Sequence, residues 1–321
     1  MSDLPYLDGA TVERLVPMAR AVQVLEDALR AGLDPEATPR RSAVSLPAGQ
    51  LLLMPAATAR YAGVKAVSVA PGNPERGLPR VQGTYLLLDG GTLAPLAAID
   101  GTALTSLRTP AVSALAVRHL AAPEGGRLVV FGSGPQAWGH VLALREVRPV
   151  TEVTIAGRDR ARAEALAARC RAAGLPARAL AREEDAVPAD LAAAVSAADL
   201  IVCCTTARRP LFPGKLARDG VTVVAVGSHE PAARELDGDL VARSTVVVEA
   251  RTAALEEAGD VIIPIRHGTI TSGHLAGGLA ELVAGKVPVG PGPRVFKSTG
   301  MAWEDLVVAA AAYEAWMSGR T

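Results

Sequence analysis

From Arg127 onward the chain alternates short, uninterrupted apolar runs with helical stretches, and this alternation restricts the fold more than any other feature. LVVF, EVTIA, LIVCC, VTVVAV and TVVVEA read as strands, with helices beginning near Gln136 and running from about Asp159 to Ala173. Strands that are apolar on both faces belong to a parallel sheet covered by helices on either side. Directly after LVVF stands Gly132-Ser133-Gly134-Pro135-Gln136-Ala137. Between a strand and a helix, Gly132 permits the tight turn, Gly134 lets a pyrophosphate approach the backbone, and Ala137 keeps helix and strand close. The helix N-terminus then offers free N–H groups to an anion. The expectation for this half is a Rossmann-type doubly wound sheet that binds a dinucleotide. The plainer alternative is a glycine-rich turn with no ligand.

The end of the second strand distinguishes the dinucleotides. An NAD site places Asp or Glu there to accept from the ribose hydroxyls, whereas this chain reads Ile155-Ala156-Gly157-Arg158-Asp159-Arg160. Arg158 offers a guanidinium fork suited to a 2′-phosphate, assisted by Arg160 or Arg162, so NADPH is expected ahead of NAD. Alternatively, these arginines line the exposed face of the next helix and Asp159 is its N-cap.

The first third has a different texture. Asp8 is a candidate cap, Pro17 opens a helix that ends near Gly32, and the runs SAVSL, QLLLM, GVKAVSV, GTYLLLD and APLAAID between Arg41 and Asp100 read as an antiparallel sheet. Residues 102–121 return to helix, with Pro110 expected in a first turn. A final helix, Trp303 to Trp316, is expected to rejoin the first part. The predicted boundaries are 1–121 with 300–321 for an α+β domain and 122–299 for the dinucleotide domain.

Only four of the 33 basic residues are lysines, which singles out Lys65. At period two it shares a strand face with Val67 and Val69, and an ammonium buried among valines requires a partner unless its stem packs and its head reaches water. Arg41 and Arg108 also stand in uncharged surroundings. The 33 acidic residues balance the 33 basic ones, which leaves no global field for nucleic acid or an anionic membrane. No run approaches the roughly 20 apolar residues of a membrane span, and no secretory signal is readable. Three cysteines without a CxxC pair fit a reducing cytoplasm, and five scattered histidines give no metal site.

The segments GVKAVSVAPGNPERGLP, LDGGTLAPLAAIDGTALTSLRTPAVSALAVRHLA, VVFGSGPQA, DLIVCCTTARRPLF and VTVVAVGSHEPAARELD together resemble the ornithine cyclodeaminase and mu-crystallin family. The resemblance implies a homodimer in which a nucleotide-binding domain is paired with an antiparallel-sheet domain used for dimerisation and substrate binding, with the active site between the two. It further implies that Arg41, Lys65 and Arg108 bind the substrate carboxylate, that Thr84 lies near a substrate contact, and that Ser133, Gln136, Thr205, Thr206 and Val226 fall in cofactor-contacting segments. Ser298 to Gly300 are placed over the nicotinamide.

One departure matters. Members that carry out ornithine cyclodeamination have an Asp in the loop that here reads Gly227-Ser228-His229-Glu230-Pro231, and His229 takes its place. His229 or Glu230 could substitute in part as a base, or His229 is an ordinary loop residue. Non-acidic members resemble imine reductases, so the expected activity is NADPH-dependent reduction of a small cyclic ketimine acid, Δ1-pyrroline-2-carboxylate or Δ1-piperideine-2-carboxylate, to L-proline or L-pipecolate. Lys65, Arg108 and His229 are the expected catalytic groups. The alternatives are ornithine cyclodeaminase, an alanine or N-substituted amino-acid dehydrogenase, and a non-catalytic NADPH-binding protein.

Overall fold

A computed structural model describes residues 4–183 and 186–319. The chain divides into two compact units, Met1–Val112 with Met301–Thr321, and Ser113–Gly300.

In the first unit a two-residue strand, β1 (Tyr6–Leu7), precedes helices α1 (Gly9–Leu15) and α2 (Met18–Arg30). Asp8 caps α1 by accepting the Thr11 N–H at 2.9 Å. The meander β2 (Ser42–Leu46), β3 (Gly49–Ala57), β4 (Tyr61–Val69), β5 (Val81–Asp89) and β6 (Pro95–Asp100) follows. Among the described residues the six strands are ordered β1-β6-β5-β4-β3-β2. The expected antiparallel sheet is thus a mixed one, because β1 pairs with β6 in parallel. Two residues are too few for any sequence periodicity to reveal that strand.

Register explains how this sheet is used. Met54, Lys65, Tyr85, Ile99 and Leu7 lie opposite one another across five strands, and all five are buried. The adjacent row, Leu53, Ala66, Thr84 and Asp100, projects from the other face and is half-buried to exposed. Helix α3 (Gly101–Leu120) then starts directly from β6. Pro110 is not in its first turn but in its interior, where its missing N–H deprives the Ser106 carbonyl of its helical donor. The division between the units falls two residues later.

The second unit is built from β7 (Arg127–Phe131), α4 (Pro135–Arg145), β8 (Glu152–Gly157), α5 (Arg160–Ala172), β9 (Ala177–Ala181), α6 (Ala189–Ala197), β10 (Leu200–Cys203) and β11 (Thr222–Ala225). It continues through α7 (Gly238–Arg243), β12 (Thr245–Val248), α8 (Arg251–Glu257), α9 (Gly259–Arg266), β13 (Leu275–Gly278), α10 (Leu279–Val283) and β14 (Arg294–Lys297). Eight parallel strands are ordered β13-β12-β14-β11-β10-β7-β8-β9 among the described residues. Val129, Ile201, Val223, Val246 and Val295 fill the core, with Phe131 stacked on Phe212 at 5.2 Å. Strands β9 (ARALA) and β13 (LAGG) escape sequence reading because Ala and Gly carry little strand preference. The chain order reverses between β7 and β10, so a crevice opens beyond their C-terminal ends.

Helix α11 (Ala302–Ser318) belongs to the first unit and packs against α1, α2, β3, β4 and β5. No described helix is long and apolar enough to cross a membrane.

Tyr85 also dictates the residue diagonal to it on β4, two positions before Lys65. A Cβ at Gly63 would lie 2.3 Å from the Tyr85 hydroxyl and 2.6 Å from its ring carbon. Gly63→Ala should therefore destabilise the fold by about 1–3 kcal/mol in urea unfolding. An unchanged midpoint would show that the ring moves aside freely.

Candidate active site

The turn after β7 separates two roles for glycine. Gly132 has φ +115°, and a Cβ there would lie 2.7 Å from the Cys204 carbonyl oxygen; the fold itself requires glycine at this point. Gly134 has φ −88° and ψ −175°, open to any residue, and a Cβ there would meet nothing within 4 Å. No packing within the protein demands this glycine, so its bare backbone is the kind of cradle a phosphate fills. Gly134 is the N-cap of α4, Pro135 opens the helix, and Ala137 is fully buried.

A groove of about 1030 Å³ runs past this turn, lined by Gly132, Ser133, Gly134, Arg158, Thr205 and Thr206. Gln136, Val226 and Ser298 are not in its wall. The Ser298 hydroxyl donates instead to Glu249 at 2.6 Å. At the β8 end, Arg158 and Arg162 face the groove together with Arg182, Arg208 and Arg209, whereas Arg160 does not. The one acid in this wall among the described residues, Asp159, caps α5 by accepting the Arg162 N–H at 3.1 Å. The plainer reading of this segment is thus observed in the Asp159 cap, and Arg158 and Arg162 line the groove as well. Arg208 and Arg209 follow Thr206 after a single alanine and are legible in the sequence; Arg182 comes directly after the alanine-rich strand β9, which gives no signal. A groove with five guanidinium groups among the described residues and free helix N–H groups suits an anionic dinucleotide.

Buried carboxylates hold the loops at this sheet edge. Glu235 accepts the Thr205 N–H at 2.8 Å, the Thr205 hydroxyl at 2.7 Å and the Gly227 N–H at 2.7 Å. Glu249 accepts the Ser298 hydroxyl and the N–H groups of Thr299 and Gly300, both at 2.9 Å. Lys297 Nζ donates to the Ser228 carbonyl at 2.5 Å and pairs with Asp260 at 3.0 Å. His229, next in the chain, is exposed, and Glu230 is paired with Arg208 at 2.8 Å. Three nearby groups are chemically quiet. His140 is fully buried and burial pushes its pKa down to about 4, while burial raises the Cys203 and Cys204 thiols well above their usual range.

In the first unit Lys65 does not reach water, being 1 % exposed. Its Nζ donates to both Asp305 oxygens, at 2.7 and 2.8 Å, and to the Thr105 hydroxyl at 3.1 Å. Arg108 donates through Nε to Asp305 at 3.2 Å and through Nη1 to Glu304 at 2.6 Å. Burial lowers the Lys65 pKa, Arg108 lowers it further, and Asp305 opposes both, leaving it at about 8. The reading that the Lys65 head snorkels to water is thereby corrected. The partners, Glu304 and Asp305, were missed although two adjacent acids in the first turn of an otherwise apolar helix were a visible signal. Arg41 is half-buried one residue ahead of β2, where extension of the β2/β3 register sets it opposite Met54 and hence in the Lys65 row. Thr84 stands apart, exposed on the opposite face of the sheet.

The sequence matches the model of the Ornithine cyclodeaminase/mu-crystallin family over residues 7–320. It is 36 % identical over 257 residues to Delta(1)-pyrroline-2-carboxylate reductase of Bacillus cereus (strain ZK / E33L), covering 78 % of this chain and 76 % of that protein. The fold superposes with a TM-score of 0.91 on Thermococcus litoralis Delta(1)-pyrroline-2-carboxylate reductase in complex with NADH and L-proline, at 30 % identity and with 99 % of each chain covered. An archaeal alanine dehydrogenase dimer with bound NAD gives 0.90 at 29 % identity, covering 99 % of this chain and 97 % of that one.

Removing one partner of a buried ion pair leaves the other charge stranded. Asp305→Ala should destabilise the protein by about 3–5 kcal/mol, and the double exchange Lys65→Met/Asp305→Leu should restore much of that. Equal losses in single and double variants, measured by chemical denaturation, would show that the pair is not the source.

Proposed function

The chain belongs to the ornithine cyclodeaminase/mu-crystallin family, and on that premise we propose that it is an NADPH-dependent reductase of small cyclic ketimine acids, converting Δ1-pyrroline-2-carboxylate or Δ1-piperideine-2-carboxylate to L-proline or L-pipecolate. The observation that carries this reading is the coexistence of an arginine-lined dinucleotide groove in one unit with a buried Lys65/Arg108 cluster in the other. The second unit serves the cofactor and the first serves the substrate. NADH bound in the Thermococcus litoralis neighbour supports nicotinamide chemistry on this fold; the arginines around Arg158 favour the 2′-phosphorylated form.

When bound, the reduced nicotinamide supplies a hydride to the imine carbon. The C=N bond becomes C–N, and a substrate that arrives as its protonated iminium leaves as an amine without needing a strong enzymic acid. Arg41, Lys65 and Arg108 orient the carboxylate next to that carbon. Lys65 and Arg108 are balanced by Asp305 and Glu304, so this cluster of four charges is net neutral. A neutral cluster of both signs complements a zwitterion, a carboxylate adjoining an iminium, better than it does a simple anion. His229 takes the position of the cyclodeaminase acid, and its exposure, with Glu230 tied to Arg208, favours reduction over deamination.

The sheet face opposite Lys65, with Val44 and Leu46 exposed on β2, supports a homodimer, as does the alanine dehydrogenase dimer of the same fold. Three free thiols, Cys170, Cys203 and Cys204, fit a cytoplasmic location.

Purified protein should oxidise NADPH when given either ketimine, and absence of turnover on both would end the proposal. Lys65→Ala should lose at least about tenfold in kcat/KM, since stripping a buried charge contact costs about 2–5 kcal/mol. Lys65 is protonated below its lowered pKa, so its contribution to kcat/KM should be present at neutral pH and lost as pH rises through about 8; the same fall in Lys65→Ala would assign it elsewhere. Arg158→Ala should weaken NADPH much more than NADH. Equal weakening would remove the 2′-phosphate contact.

A further inference from the structure

The loops that follow β10 and β11 are fastened to each other by one side chain. Glu235 is fully buried and uses one carboxylate oxygen for the Thr205 N–H and hydroxyl and the other for the Gly227 N–H. The loops touch directly at this point, since a Cβ on Gly227 would lie 2.0 Å from the Thr205 carbonyl oxygen. Thr205 and Thr206 line the dinucleotide groove. Glu235 is itself held from behind, where Asp260 accepts the N–H groups of Glu235 and Leu236 at 2.7 and 2.8 Å. Asp260 is in turn paired with Lys297, which also binds the Ser228 carbonyl.

We propose that Glu235 is a positioning residue for the dinucleotide groove: its ionised carboxylate holds the Thr205 and Gly227 loops in the ligand-binding arrangement, so that cofactor binding is linked to loss of one proton. The inference rests on the reading of this groove as a cofactor site. Three donors converge on the two oxygens of Glu235, which only the carboxylate can accept at once. A protonated carboxyl sets an O–H against the Gly227 N–H, or against the Thr205 hydroxyl, which must then turn to accept it; either way one of the three bonds from the loops is lost and the tether weakens.

The charged and titratable groups facing Glu235 are Lys297 on β14, Asp260 on α9, and Cys203 and Cys204 at the end of β10. Burial pushes the Glu235 carboxyl up, Lys297 pulls it down, Asp260 raises it, and the Thr205 contacts lower it, leaving it at about 7. Both thiols stay neutral there, because burial raises them well above their usual range. Deprotonation therefore occurs as pH rises through neutrality, and the tight-binding form predominates above it.

The test is the NADPH dissociation constant of wild type and Glu235→Gln across pH 5.5 to 8.5, followed by cofactor fluorescence. The amide matches the carboxyl in shape but turns an NH2 toward a donor. Its dissociation constant should exceed the wild-type value by about tenfold at pH 8.5 and approach it at pH 5.5. Titration of the NADPH 2′-phosphate is common to both proteins and cancels in the ratio. A ratio that stays constant with pH, or stays at one, overturns the proposal. A second measurement needs no variant: NADH, which lacks the 2′-phosphate, should release protons on binding wild type at pH 7, read by calorimetry in two buffers of different ionisation enthalpy. Zero release also overturns it. Failure of wild type to bind either nucleotide would instead overturn the groove reading on which the proposal depends.

Discussion

A lysine head group withdrawn from water needs a carboxylate, and that requirement decides how the end of the chain is used. Lys65 sits in the middle of an apolar row on the central strands of its sheet, and Asp305, 240 residues later, is its counterion. The middle of helix α11, Leu306 to Ala312, is a run of Leu, Val and Ala whose side chains define its register only weakly. The two first-turn acids of the helix fix that register, since only one placement satisfies both Lys65 and Arg108. Acids also suit a helix N-terminus, where the backbone dipole favours negative charge. The sheet unit is thus completed by residues beyond the dinucleotide unit, and a chain ending before Asp305 would leave an ammonium and a guanidinium buried without these partners.

The second unit meets the same constraint in the opposite sense. There the buried carboxylates Glu235, Glu249 and Asp260 mainly receive backbone N–H groups from loops, and a single lysine, Lys297, offsets charge among them. Loops at the C-terminal edge of a parallel sheet have orphan N–H groups that no ladder satisfies. A carboxylate with two oxygens can accept several of them and so fix segments that are distant in sequence, as Glu235 does for Thr205 and Gly227. Ligand-facing loops gain order in this way without stiff packing of their own, at the expense of burying a group that burial pushes toward protonation.

What could be read from the sequence follows from how local each signal is. The strands rich in Val, Ile and Leu, the Asp8 and Asp159 caps and the turn at Gly132 are fixed by neighbours within a few residues, and all are found where the residues place them. Strands β9 and β13 are dictated by their position at the sheet edges rather than by composition. Pro110 misleads because its local preference for a first turn yields to the burial of α3 as a continuous helix. Lys65 and Arg108 were conspicuous as charges among apolar residues, yet nothing at sequence distance tied them to Glu304 and Asp305. Gly134 shows the reverse: its sequence pattern implied a ligand, and the structure adds that nothing in the protein itself demands glycine there.

A formal net charge of zero therefore describes two unlike arrangements. In the sheet unit, two cations are buried with two carboxylates in hydrogen-bonding contact, so the positive charge is compensated before any ligand arrives. In the dinucleotide unit, most of the groove arginines are exposed, with Arg158, Arg162, Arg208 and Arg209 open to water and only Arg182 buried. Exposed guanidinium groups stay hydrated, so surface pairs such as Arg208 with Glu230 and Arg162 with Asp159 are not what makes them tolerable. The burial of each cation thus follows its counterions: Lys65 and Arg108 are withdrawn from water together with Asp305 and Glu304, whereas most of the groove arginines keep their hydration.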